Sequence, residues 1–179
     1  MFKGGVSPDD IEQGYLGNGY MLTVLSAMCN RPESIYDLFG TKEVNKAGIY
    51  VIYLHVNGVR TPVVIDDYIP VWPSNNKPVF AKAKNDELWV ILVEKAWAKL
   101  HGTYCRTESS SPFFAASHLS KSSSSLFIRI FLTCCFGNHS PRLLFQWRFP
   151  LSRTCTQKAR TIKNCSSKGS SMLTIEAIK

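Results

Sequence analysis

The dipeptide Asn57-Gly58 stands between two apolar runs, Gly48-Ile-Tyr-Val-Ile-Tyr-Leu-His-Val and Val59-Arg-Thr-Pro-Val-Val-Ile-Asp-Asp. A two-residue link between right-twisted strands needs positive φ at both turn positions, which asparagine and glycine tolerate best, so this spacing predicts an antiparallel hairpin. In the first run Ile49, Val51, Tyr53 and His55 alternate with Tyr50, Ile52, Leu54 and Val56. Both faces carry apolar side chains, which predicts a sheet mostly covered by helices. Pro62 has no N–H to give a ladder and predicts an edge position or a bulge. The stretch from Tyr68 to Lys84, with Pro70, Pro73 and Pro78, reads as a long surface loop.

Two helices flank this hairpin in sequence. Tyr20, Met21, Leu22, Val24, Leu25 and Met28 recur at a spacing that predicts a largely buried helix, ending near Asn30 with Pro32 beyond it. Leu88, Ile91, Leu92, Ala96 and Leu100 predict a second helix, stopped by Gly102 and capped at its start by Asn85 or Asp86. With the hairpin between them, these segments predict an α+β layer.

Charge is distributed unevenly. Up to Tyr104 there are 10 Lys and Arg against 11 Asp and Glu, so the formal net charge of +8 comes entirely from the rest of the chain. Whole-chain charge therefore gives no argument for a specific nucleic acid or a membrane as partner of the folded part. Cys29 stands alone in the first part, and the later cysteines, Cys105, Cys134, Cys135, Cys155 and Cys165, show no paired zinc-ligand spacing. The longest apolar run, Leu126 to Phe136, contains Arg129 and falls short of the ~20 residues of a membrane helix. No basic region followed by an apolar stretch opens the sequence, so an intracellular, reducing setting is expected.

The segment Gln13-Gly-Tyr-Leu-Gly-Asn-Gly-Tyr-Met-Leu resembles the active-site entrance of the calpain family of cysteine peptidases, whose pattern is Gln-Gly-x-Leu-Gly-Asp-Cys-Trp before an apolar helix. Gln13, Gly14, Leu16 and Gly17 match, while Asn18, Gly19 and Tyr20 replace Asp, Cys and Trp. Ala47-Gly-Ile-Tyr, Val64-Ile-Asp-Asp-Tyr-Ile-Pro and Glu87-Leu-Trp-Val-Ile-Leu-Val-Glu-Lys-Ala-Trp-Ala-Lys-Leu-His-Gly-Thr-Tyr are similar to the family's Ala-Gly-Ile-Phe, Val-Asp-Asp-x-Leu-Pro and Glu-Phe-Trp-x-x-Leu-Leu-Glu-Lys-Ala-Tyr-Ala-Lys-x-x-Gly-x-Tyr. The resemblance runs from about Phe2 to Tyr104. It implies the N-terminal subdomain of a papain-like catalytic core over residues 1–104.

Site roles carry over from that resemblance residue by residue. Gln13 takes the place of the glutamine that helps form the oxyanion hole, and Gly19 is the nucleophile position, left without a side chain. Cys29, ten residues further on, lies about 15 Å away along a helix and reads as a small core residue. The resemblance also implies a Ca²⁺ site built from the carbonyls of Lys3 and Gly5 with the carboxylates of Asp10 and Glu87, an all-oxygen donor set that suits that ion. The family's Gly-His-Ala-Tyr and Arg-Asn-Pro-Trp-Gly patterns, which supply its histidine and asparagine, do not occur; Gly137-Asn-His-Ser and Gln146-Trp-Arg-Phe are the nearest echoes.

Residues 105–179 form a basic, Ser-rich tail with no recognisable domain, expected to be disordered. It reads as a flexible arm, as a contact segment for polyanions, or as sequence translated from outside the original frame or from an unspliced intron, and the abrupt end of the resemblance favours the last. The expected function is a catalytically silent calpain-type fragment acting as a calcium-responsive binding or regulatory module, with a substrate-like protein or peptide as partner. The alternatives are a calcium-dependent cysteine endopeptidase and a polyanion binder working through the tail. Oligomeric state stays open.

Overall fold

The computed structural model describes residues 1–84 and 87–121, and the backbone of 174–177. Asn85 and Asp86, the apolar run from Leu126 to Phe136 and the echoes around His139 and Trp147 fall outside these residues; the cap position of the later helix is Leu88, so neither Asn85 nor Asp86 occupies it. Within them the chain is an α+β layer, as the sequence predicts.

A short 3-10 turn, Pro8–Asp10, opens the ordered path. Ser7 caps it by accepting from the Asp9 N–H, and Asp10 returns the favour by accepting from the Ser7 N–H at 2.8 Å. Strand β1 (Ile11–Glu12) follows, then helix α1 (Gly19–Met28) and the short helix α2 (Pro32–Tyr36). Tyr20, Met21, Leu22, Val24, Leu25, Ala27 and Met28 are all buried in α1. A ten-residue helix apolar on nearly every side is held by packing rather than by its own propensity.

Strands β2 (Ile49–Val56) and β3 (Val59–Asp66) pair in the predicted two-residue hairpin, with Val56 opposite Val59. Asn57 and Gly58 both adopt positive φ, 51° and 78°. The register runs unbroken through Tyr53 opposite Pro62, so the proline sits on an edge and causes no bulge. The far edge of β2 is met by Leu38–Gly40, where Gly40 N–H donates to Val51 O and Tyr53 N–H to Leu38 O. One face of the hairpin is covered: Tyr50, Ile52 and Leu54 are buried, while Ile49 and Val64 stay about half exposed. The sheet is thus less enclosed than its two-sided apolar pattern suggests.

The proline-bearing stretch after β3 departs further from expectation. It holds strand β4 (Tyr68–Val71) and strand β5 (Lys82–Ala83), the latter paired antiparallel with β1. Ile69, Val71, Val79, Phe80 and Ala81 are buried. Proline blocks a donor but not an acceptor: Pro70 O takes the Val79 N–H at 3.0 Å, which lets this segment fold back on itself.

Helix α3 (Trp89–Leu100) is the spine of the layer, with Trp89, Val90, Leu92, Val93, Ala96 and Trp97 fully buried. Its exposed side is tied to the hairpin by Lys95, which reaches Asp66 and the Tyr68 carbonyl, and by Lys99, which donates to Val64 O. Packing continues past the Tyr104 boundary drawn from the resemblance. A 3-10 turn, Tyr104–Thr107, leads into helix α4 (Pro112–Leu119), capped by Ser111, whose Ala115, Ala116 and Leu119 are buried in the main core against α1 and β2. Further along the tail, strand β6 (Thr174–Ala177) pairs antiparallel with β4, so these four residues are not the featureless chain the composition suggests. No helix among the described residues is long and apolar enough to cross a membrane.

Candidate active site

The loop from Gln13 to Asn18 lies flat on the segment before β5. Tyr15 N–H donates to Val79 O at 2.9 Å, and a Cβ on Gly14 would meet Phe80 O at 1.9 Å. Only glycine lets two backbones approach so closely. Gly14→Ala is expected to lower stability by about 1–3 kcal/mol, because the obstacle is main chain that cannot swing aside. Urea unfolding checks this; an unchanged midpoint would mean that the loop is not pressed against Phe80.

This approach aims Gln13 at the start of α1. Its Nε2 donates to Leu16 O at 2.8 Å, and a Cβ on Gly19 would lie 3.3 Å from Gln13 Oε1 and 3.6 Å from Nε2. The structure therefore brings Gln13 and Gly19 side by side. The first N–H groups and dipole of α1 point at the same place, a setting that favours negative charge. A thiolate there would be stabilised, yet Gly19 has no atom that could attack a carbonyl.

Cys29 does not fill that role. It caps the opposite end of α1, where its Sγ donates to Leu25 O at 3.2 Å. Burial pushes its thiol up to about 12, and the charges of Asp10 and Glu87 add to the effect. A thiol held neutral is no nucleophile near neutrality.

Of the residues implied for Ca²⁺, the structure joins Lys3 directly to Glu87. Lys3 N–H donates to Glu87 Oε1 at 2.9 Å, which ties the N-terminal loop to the approach to α3, and Trp89 Nε1 donates to Glu87 Oε2 at 2.8 Å. Asp10 and Glu87 are 8% and 3% exposed, and both act on Cys29. The ion pairs among the described residues, Lys82 with Glu12 and Lys95 with Asp66, involve neither. Two buried acids without a basic partner, near a loop that offers carbonyls, match the oxygen chemistry of a hard cation, and each carboxylate oxygen keeps a lone pair beyond its hydrogen bond. No group of three or more His, Cys, Asp or Glu side chains suited to a metal occurs among the described residues. Any cation here would thus rely on main-chain oxygen and water for the rest of its shell.

Sequence reasoning overlooked Glu94. It is 2% exposed on α3, accepts from Asn18 Nδ2 at 2.5 Å and from Ala81 N–H at 2.8 Å, and joins the Gln13–Asn18 loop, the segment before β5 and α3 at one carboxyl group. Burial drives its acid up to about 7 against the opposing pull of both hydrogen bonds. The available signal was a lone carboxylate inside Ile91-Leu-Val-Glu-Lys-Ala-Trp, with no basic residue one helical turn away on the same face.

A match to the family described as calpain family cysteine protease spans residues 1–143, well past the end of the resemblance quoted above. A calpain-type cysteine protease, DEK1, of Arabidopsis thaliana is 43% identical over 105 residues, covering 58% of this chain and 5% of the relative. Calpain-5 of Caenorhabditis elegans is 35% identical over 113 residues, covering 58% and 17% respectively. A calpain of Schistosoma mansoni is 34% identical over 115 residues, covering 62% and 15%. The chain thus spans a small fraction of the length of these relatives. With that match over most of its length, the chain belongs to the calpain family of cysteine proteases.

Proposed function

We propose that this chain is a catalytically silent member of its family that binds calcium and holds a protein segment without cutting it. Gly19 carries the reading: the helix that should present a sulfur to the substrate begins with a residue that has no side chain, beside a glutamine still in place. The Ca²⁺ part rests on Asp10 and Glu87, buried without a basic partner among the described residues. A cation bound there would neutralise both acids and tie the Lys3–Asp10 loop to the approach to α3.

Calorimetric titration of the full chain with CaCl₂ tests this. Saturable binding is expected, weakened on the order of tenfold or more by Asp10→Ala; absence of heat, or equal binding by that variant, would overturn the site. The relatives' printed names favour a second reading, a cysteine endopeptidase. It needs a nucleophile that neither Gly19 nor Cys29 supplies.

A further inference from the structure

Successive residues of a strand turn their N–H and C=O groups to opposite edges, so β4 carries two sets of them. One set is met within the layer. Tyr68 N–H donates to Asp66 Oδ1 at 2.8 Å and Tyr68 O accepts from Lys95, Pro70 O accepts from Val79 N–H at 3.0 Å, and Trp72 N–H donates to Lys77 O at 2.9 Å. The other set belongs to Ile69 and Val71, and the segment that meets it is β6, from far along the chain. Proline falls on the first edge, so the edge facing β6 lacks no donor. Ile69 and Val71 are buried and cluster with Ile91 of α3. Main-chain groups beside buried side chains need partners, so this edge calls for a strand.

Strand β6 answers out of phase. Paired residues of an antiparallel ladder share a face, and the register sets Glu176 opposite Ile69 and Thr174 opposite Val71. Positions 174 and 176 thus fall on the face that β4 turns to Ile91. Positions 175 and 177, isoleucine and alanine, fall beside half-buried Pro70 and exposed Tyr68. Polar residues take the inner positions and apolar ones the outer. A strand of the opposite alternation suits the edge better.

We infer that the β4 edge is a docking site for an extended segment of another protein, apolar at the two positions opposite Ile69 and Val71, with β6 as its displaceable occupant within the chain. The main chain of Ile69 and Val71 supplies the ladder, and the two inner positions select the sequence. A second copy's β6 brings the same threonine and glutamate, and gains nothing over the chain's own. This inference involves neither Gly19 nor calcium and does not rest on the function proposed above.

Glu176→Pro in the full chain removes a ladder donor from β6 and leaves residues 1–121 unchanged. A tethered occupant lowers the apparent affinity of an added strand by the fraction of chains in which the edge is open. The fluorescein-labelled peptide Lys-Thr-Val-Thr-Val-Thr-Lys is therefore expected to bind the variant on the order of tenfold more tightly than the parent, read by anisotropy. It is also expected to slow hydrogen exchange at the Ile69 and Val71 amides of the variant, which Lys-Thr-Ser-Thr-Ser-Thr-Lys does not. Equal affinity for variant and parent would overturn the inference, as would protection at amides other than these two. So would a variant that doubles in mass and takes up no peptide, since the edge would then serve a second copy. Thr174→Val with Glu176→Val gives an independent check. That β6 matches the edge, and the peptide is expected to bind more weakly than to the parent; unchanged binding would count against the inference.

Discussion

Incubated with calcium and an unfolded protein, the chain is expected to leave its substrate whole. Cysteine peptidases work through an acyl-enzyme, so the thiolate is the atom to which the substrate becomes bonded. On the proposed reading that atom is missing at the start of α1, where Gly19 stands with the helix N-terminus and Gln13 around it. Deleting a nucleophile from such a machine costs on the order of 10⁶ in kcat, which puts residual turnover below ordinary detection. Cys29 offers no detour, being a neutral thiol at the other end of the helix. Gly19→Cys fits the available space, since the nearest atom to the new Cβ is the end of a flexible glutamine. The variant is expected to gain a thiol that iodoacetamide alkylates at lower pH than Cys29, because the helix N-terminus stabilises the thiolate. Calcium-dependent fragments from the parent chain, seen by gel, would overturn the reading.

The second large effect concerns stability. Trp97→Ala is expected to destabilise the chain by about 3–5 kcal/mol, a large part of the 5–15 kcal/mol that hold a typical domain together. Trp97 is fully buried on α3, donates from Nε1 to the Tyr20 hydroxyl at 3.1 Å, and meets the rings of His101, Phe114 and His118 edge-on or nearly so. It thereby joins α1, α3 and α4. The family pattern has tryptophan at position 20 and tyrosine at position 97, so this chain carries the two rings exchanged. A reciprocal swap conserves volume, and directly touching residues couple strongly. Tyr20→Trp combined with Trp97→Tyr is therefore expected to be more stable than the sum of the single changes allows, by about 0.5–3 kcal/mol. Urea unfolding of the four chains measures it; additive changes would show that the pair is not a unit.

Sequence alone disclosed those elements whose cause is local. The hairpin was legible because Asn57-Gly58 permits hardly any other turn between two apolar runs, and α1 and α3 because their apolar spacing is helical. Ser111-Pro112 carries a good helix start, yet α4 is hard to see in the sequence because its buried Ala115, Ala116 and Leu119 make a brief signal amid serines. The segment from Tyr68 to Lys84 looks like a loop in the sequence because its prolines mask a fold in which the Pro70 carbonyl accepts from Val79 N–H. Gln13 and Gly19 could be placed through the motif. Glu94 could not, since its partner Asn18 lies 76 residues away and only folding brings the two together.

Intact-mass spectrometry after treatment with a peptidyl epoxide that traps catalytic thiols, with and without calcium, tests the central claim most directly. The account predicts a mass unchanged by calcium and no adduct among residues 13–21. A stoichiometric, calcium-dependent adduct mapped to the loop between Gln13 and Met21 would contradict it.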